Sequence, residues 1–133
     1  MSIGRTNMNV DLHDKFKTAL ETATSIDVYD KFPNAKHLTG DYIVVLRGVE
    51  KGYENDTFGL GTTGNRPVTY IVEIYSKKLS NIYTTIDTIE NYFVSNKFED
   101  LKLDAIDQSD SDSLTIGNQV YHLKMLSFSY QFR

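Results

Sequence analysis

The feature that most constrains this chain is its ending. Residues 119–132 alternate between apolar and polar side chains. Leu126, Phe128, Tyr130 and Phe132 share one parity, and Tyr121, Leu123 and Met125 hold the other. A two-residue period is the signature of a β-strand. At about 3.3 Å per residue, an unbroken strand of this length spans about 46 Å. A compact chain of 133 residues has a radius of gyration of only roughly 14 Å. The strand must therefore bend or project, and the change of parity predicts a bulge or twist near Met125. A projecting hairpin leaves an edge that calls for a partner.

The residues before it supply the hairpin. Gly117-Asn118 sits between Leu114-Thr115-Ile116 and Gln119, a two-residue turn signal. Residues 107–113, rich in Asp and Ser, read as a polar turn, and residues 98–106 alternate weakly as a strand. Upstream, Leu79, Ile82, Ile86, Ile89 and Phe93 recur at three- and four-residue steps, which predicts a helix over 77–95 with Ser76 as its cap and Asn96-Lys97 as its stop. The β-branched run 68–75 after Pro67 predicts a strand. A first helix over 10–23 carries Leu12, Phe16, Ala19, Leu20 and Ala23 on one stripe, with Asn9 or Asp11 as N-cap. Ile26 and Val28 open a short strand that closes at Phe32-Pro33-Asn34, and Tyr42 to Leu46, apolar on both faces, reads as a central strand.

Because helices and strands do not alternate strictly, the expected class is α+β. The expectation is a mixed, mainly antiparallel sheet with two helices on one face. It forms a single domain over 1–133, with 1–9 as a flexible lead and 48–66 as a long glycine-rich loop or hairpin. That loop holds five of the eight glycines. Nine Tyr and seven Phe within a 40% hydrophobic composition are enough for one core and unlike a disordered chain.

With no cysteine, disulfides and thiolate metal sites are excluded. The first residues lack the apolar run of a signal peptide. Ser2 stands where myristoylation needs glycine, and no stretch approaches the roughly 20 apolar residues of a membrane helix. A bacterial-type cytoplasm is the expected setting. The net charge of −4, with basic residues occurring singly apart from Lys77-Lys78, argues against a phosphate-binding surface.

Motifs that carry chemistry are weak. Gly59-Leu60-Gly61-Thr62-Thr63-Gly64 matches a dinucleotide-binding pattern by letter. That pattern needs a strand before it and a helix N-terminus after it, and here Asn65-Arg66-Pro67 and a strand follow. Asp107, Asp110 and Asp112 miss the spacing of a calcium loop. His13, His37 and His122 form no zinc-binding pair, and no serine elbow or cysteine nucleophile occurs. No catalytic, cofactor or metal residue is assigned. A glycine loop over 48–66 acting as lid for a small ligand or peptide is the competing reading.

Taken together, the N-terminal helix, Val28-Tyr29-Asp30-Lys31-Phe32-Pro33, the strand 42–46, the run 68–76 leading straight into a helix, and the aromatic ending 126–132 resemble the tail terminator (tail completion) proteins of long-tailed bacteriophages and their neck relatives. The resemblance spans about residues 10–133 and is one of element order. It implies a non-enzymatic virion protein. Six copies would form a ring that caps the tail tube, stops its polymerisation and joins tail to head, with DNA passing through the lumen ungripped. Partners would be further copies, the tail-tube protein and a head-neck connector protein, with no membrane and no cofactor. The candidate assembly contacts are Tyr53, Phe58, Leu60, Arg66, Tyr130 and Phe132.

Overall fold

A computed structural model describes residues 4–31, 42–49 and 67–132. Among these residues, two helices, α1 (Gly4–Thr24) and α2 (Leu79–Ser95), accompany six strands: β1 (Val28–Tyr29), β2 (Tyr42–Val49), β3 (Pro67–Ser76), β4 (Leu101–Gln108), β5 (Asp112–Ile116) and β6 (Gln119–Phe132). The strands form one mixed sheet in the order β1-β2-β3-β6-β4, with β5 also paired to β6. Only β1–β2 is parallel; the other pairs are antiparallel. The class is α+β, as the element pattern implied.

Both helices lie on one face of the sheet, because each has a single apolar stripe to bury. Leu12, Phe16 and Leu20 of α1 and Ile82, Ile86, Ile89 and Phe93 of α2 meet Tyr70, Val72 and Ile74 of β3 and Leu126, Phe128 and Tyr130 of β6 in one core. Phe16 is its hub. Its ring stacks on Tyr70 at 4.3 Å and meets Phe93, Phe98 and Phe128 at 4.9, 5.3 and 5.1 Å.

Several boundaries differ from the sequence reading, each for a physical reason. α1 starts at Gly4, running back through the lead and through Asn9 and Asp11, so neither is its N-cap. Apolar periodicity marks where a helix has a stripe, not where its hydrogen bonding begins. Ser76 ends β3 and does not cap α2. Its hydroxyl accepts the Lys78 amide at 3.1 Å, while Lys78 takes the cap position without a side-chain bond. Asn96 does stop the helix, its amide and side chain both donating to the Tyr92 carbonyl. Phe98 precedes β4, not within it. It is buried as an anchor in the α2–β4 connection, and Glu99 beside it takes φ +52°.

The expected bulge near Met125 does not occur. β6 pairs with β3 in unbroken register from Pro67↔Gln131 to Ser76↔His122. The irregularity falls on β4, between Leu103 and Ala105, which leaves Asp104 as the extra residue. The parity change in β6 has another cause: the sheet buries side chains on both faces. Tyr121, Val45 and Tyr75 form a second cluster on the face away from the helices, with Tyr29, Ile116 and Leu123 packed against it. Gly48 and Val49 extend β2, and the rest of the 48–66 loop lies outside the described residues.

Candidate functional site

The overlong strand places the most distinctive surface. β3 stops at Ser76, opposite His122, and β4 stops at Gln108, opposite Leu126. Beyond these points, β6 is flanked among the described strands by β5 alone, through Leu114↔Tyr121, Thr115↔Val120 and Ile116↔Gln119. At about 3.3 Å per residue, residues 119–121 carry this two-stranded extension roughly 10 Å past the end of β3. The strand projects.

The turn at its tip is local chemistry. Gly117 has φ +62°, and Asn118 is not among the residues of positive φ. Glycine at the first central position with positive φ is the mark of a type II′ hairpin turn, whose twist suits the flanking strands. A side chain at Gly117 would meet nothing within 4 Å, so the backbone angle, not space, calls for glycine here.

A two-stranded ribbon has no core of its own. Here it carries apolar side chains on both faces. Leu114, opposite Tyr121, is 37% exposed, and Val120, on the other face, is 56% exposed. At the root, the helix-free face is held by a polar network. Glu73, only 8% exposed, accepts hydrogen bonds from the Tyr75 hydroxyl at 2.9 Å and from Arg47 Nη1 at 2.8 Å. Burial, followed by that carboxylate, raises the Tyr75 hydroxyl's pKa well above its usual value. The Lys77 ammonium lies 5.9 Å from the centre of the Tyr121 ring, and Lys124 lies 5.2 Å from that of Tyr83.

The candidate assembly contacts fare unequally. Tyr53, Phe58, Leu60 and Arg66 lie outside the described residues, as does the Phe132 side chain, although its backbone pairs with Leu101. Tyr130 is 1% exposed, with its ring among Phe16, Tyr70, Phe98 and Phe128. It belongs to the interior of the single chain, which corrects its reading as an assembly contact. Leu114 and Val120 are the surface residues that sequence reasoning missed. Their signal was present in the excess length of the terminal run, but alternation alone does not say where neighbouring strands stop.

Other clusters are ordinary surface chemistry. His13 Nε2 lies 2.9 Å from Asp30 Oδ1, and Lys17 lies 3.6 Å from the same carboxylate. The His13 hydrogen bond leads in holding the Asp30 carboxyl below its ordinary range. His122 is half-buried opposite Ser76 and Ser113. Asp107, Asp110 and Asp112 do not converge: Asp107 lies on β4, and the Asp112 carboxylate takes the Ser113 amide at 2.8 Å. Among the described residues no group of three His, Asp or Glu side chains is placed to hold a metal ion, and no described helix is long and apolar enough to cross a membrane.

A hollow of about 730 Å³ lies between the C-terminal turn of α2 and β4, with Phe93, Phe98, Leu103 and Ile106 among its lining residues and Tyr130 at its wall. Its charges, Glu90 and Asp104 against Lys97 and Lys102, cancel. No protein-family model matches the chain, and no curated protein aligns with it.

Proposed function

We propose that this chain is a structural assembly subunit of the tail-terminator type. Copies of it, six in the reading favoured here, form a ring that caps a phage tail tube, ends its polymerisation and presents a joining surface to the head-neck connector. In that reading the protein is assembled in the host cytoplasm and ends in the virion, and DNA passes the ring without being gripped. The observation that carries it is the sheet extension formed by β5 and β6, a ribbon with exposed apolar residues on both faces. A single subunit has no use for such a ribbon, whereas heterologous contacts that close into a ring engage surfaces of this kind. The order of elements, an N-terminal helix followed by a sheet crossed by one further helix, accords with it. Electron micrographs of tail tubes incubated with the purified protein test the proposal. The expected result is one ring of this protein at the tube end, and tubes that bind no protein, or bind it along their length, overturn it.

A further inference from the structure

One edge of the ribbon is open. Residues 119–121 of β6 have β5 on one side, and β3, which ends opposite His122, leaves their other side unpaired among the described residues. Ile116 and Gln119 face each other across a two-residue turn, the place of a hydrogen-bonded pair. The next residue, Val120, therefore turns its N–H and C=O away from β5, toward the open side. Val120 also carries the ribbon's exposed apolar side chain on the helix face. A short strand edge and an apolar side chain meet in one residue.

The hollow between α2 and β4 complements that edge. β4 ends the sheet, so its outer side has no partner among the described strands. The hollow follows β4 from Leu101 to Ile106, with Phe93 and Val94 of α2 across from it. Tyr130, at its wall, keeps a buried hydroxyl with no hydrogen-bond partner among the described residues. Buried polar groups are ordinarily satisfied, so the packing at this end is unfinished in the single chain. A groove between a sheet edge and its cover takes an extended segment by strand addition. The edge supplies hydrogen bonds, and the groove supplies pockets for alternate side chains. The Asp104 bulge breaks β4 between Leu103 and Ala105, which limits addition to a short segment such as the open edge of β6.

We infer that the ribbon of one copy docks in the α2–β4 groove of the next, with the open edge at Val120 along the outer side of β4 and the Val120 side chain in the hollow. The inference rests on reading the chain as an assembly subunit and identifies the seat of its ring contact. A second copy is the occupant for two reasons. Val120 and Tyr130 stand ten residues apart along β6, about 33 Å at about 3.3 Å per residue, so no ribbon reaches its own groove. Complementary surfaces at opposite ends of a subunit join head to tail, the arrangement that closes into rings. Both surfaces are also balanced in charge. The ribbon and its root set Asp110 and Asp112 against Lys124 and Lys77, which lies by Tyr121, and the charges of the hollow cancel. Neither surface favours a strongly charged partner, and copies of a chain with net charge −4 meet there without repulsion.

The chain has no cysteine, so disulfide trapping reads this contact without background. One pool of full-length chain carries V120C. A second, ¹⁵N-labelled, carries V94C, at a position 71% exposed on the rim of the hollow. Mixed and oxidised with copper phenanthroline, with tail tubes and without, the pools should give light–heavy dimers by mass spectrometry. T84C in place of V94C, about 15 Å away along α2, should lower the yield about tenfold. A chain bearing both V120C and V94C should give a ladder of oligomers beyond the dimer. The yield should hold between about 0.1 M and 1 M salt, although screening shortens from about 10 Å to about 3 Å, because apolar burial carries the contact.

No light–heavy dimer in either condition, or an equal yield with T84C, overturns the inference. So does V120C trapping itself at matching yield, since ribbons would then meet ribbons, and so does loss of the yield at high salt, since charge would then hold the contact. A ladder that stops at the dimer marks reciprocal exchange between two copies, which keeps the contact and removes the ring. Trapped dimers with bare tube ends likewise remove the ring and keep the ribbon in its groove; rings at tube ends without trapped dimers do the reverse.

Discussion

The two halves of β6 are one continuous strand with opposite fates. Its C-terminal half runs between β3 and β4, and Leu126, Phe128 and Tyr130 are at most 1% exposed. Its first residues have β5 on one side; on the helix-free face Tyr121 is buried beside Val45 and Tyr75, but on the helix face Val120 is 56% exposed. Both halves alternate with the same two-residue period, in opposite phase. On the helix face the difference comes from how many neighbours the strand has at each point. Burial in a sheet depends on strand ends elsewhere in the chain, which the strand itself does not encode.

The comparison breaks most sharply by removing the buried half. Deleting residues 127–133 takes away Phe128 and Tyr130, and aromatic side chains bury about 150–250 Å² each. At about 25 cal/mol per Å² that is about 4–6 kcal/mol apiece as an upper bound, against a typical domain stability of about 5–15 kcal/mol. The truncated chain should show no cooperative thermal transition by circular dichroism. A cooperative melt near the full-length temperature would mean that the core closes without these rings.

Two tyrosines then compare the faces of the sheet. The Tyr75 hydroxyl, on the helix-free face, donates to the Glu73 carboxylate. Tyr75→Phe should cost about 1.5–3 kcal/mol in urea unfolding, the range for a hydrogen bond to a charged group. The Tyr130 hydroxyl, on the helix face, is buried and makes no hydrogen bond among the described residues. Burial pushes its pKa well up, so it stays a neutral donor. Tyr130→Phe should leave stability unchanged or raise it by up to about 1 kcal/mol, because a buried unpartnered hydroxyl is itself a penalty. A loss as large as that of Tyr75→Phe would show that an ordered water or ligand bonds the Tyr130 hydroxyl.

How far the sequence could be read follows from the same contrast. The helical stripes through Phe16 and Ile86 and the Gly117-Asn118 turn were legible, because each is set by residues close in sequence. The class followed from their order. Tyr130 was misread as a contact, because its parity marks a buried face without saying whether its own chain or a neighbour covers it. Asp104 as the bulge, Phe98 as an anchor and the second cluster around Tyr121 all depend on pairings between distant strands. Leu114 and Val120 were missed for that reason too.

The smallest expected effect lies at the projecting end, and it sharpens the comparison most. Val120 faces Thr115 across the β5–β6 pair, two residues beyond the last β3 partner. Little apolar area leaves water there when one chain folds alone, so its side chain adds little to the stability of the free subunit. Val120→Ser should change that stability by no more than about 0.5 kcal/mol, the range of surface substitutions, in the same urea titration that reads Tyr75→Phe. If the ribbon is a contact surface, the substitution should instead weaken attachment to tail tubes, measured by co-sedimentation. A clear loss of free-subunit stability would place Val120 under a covering of its own chain and remove the ribbon from the assembly surface. Unchanged stability with unchanged attachment would leave the ribbon free but the contact elsewhere. Only stable folding combined with lost attachment gives the two halves of β6 the separate roles, core and contact, that their exposures mark out.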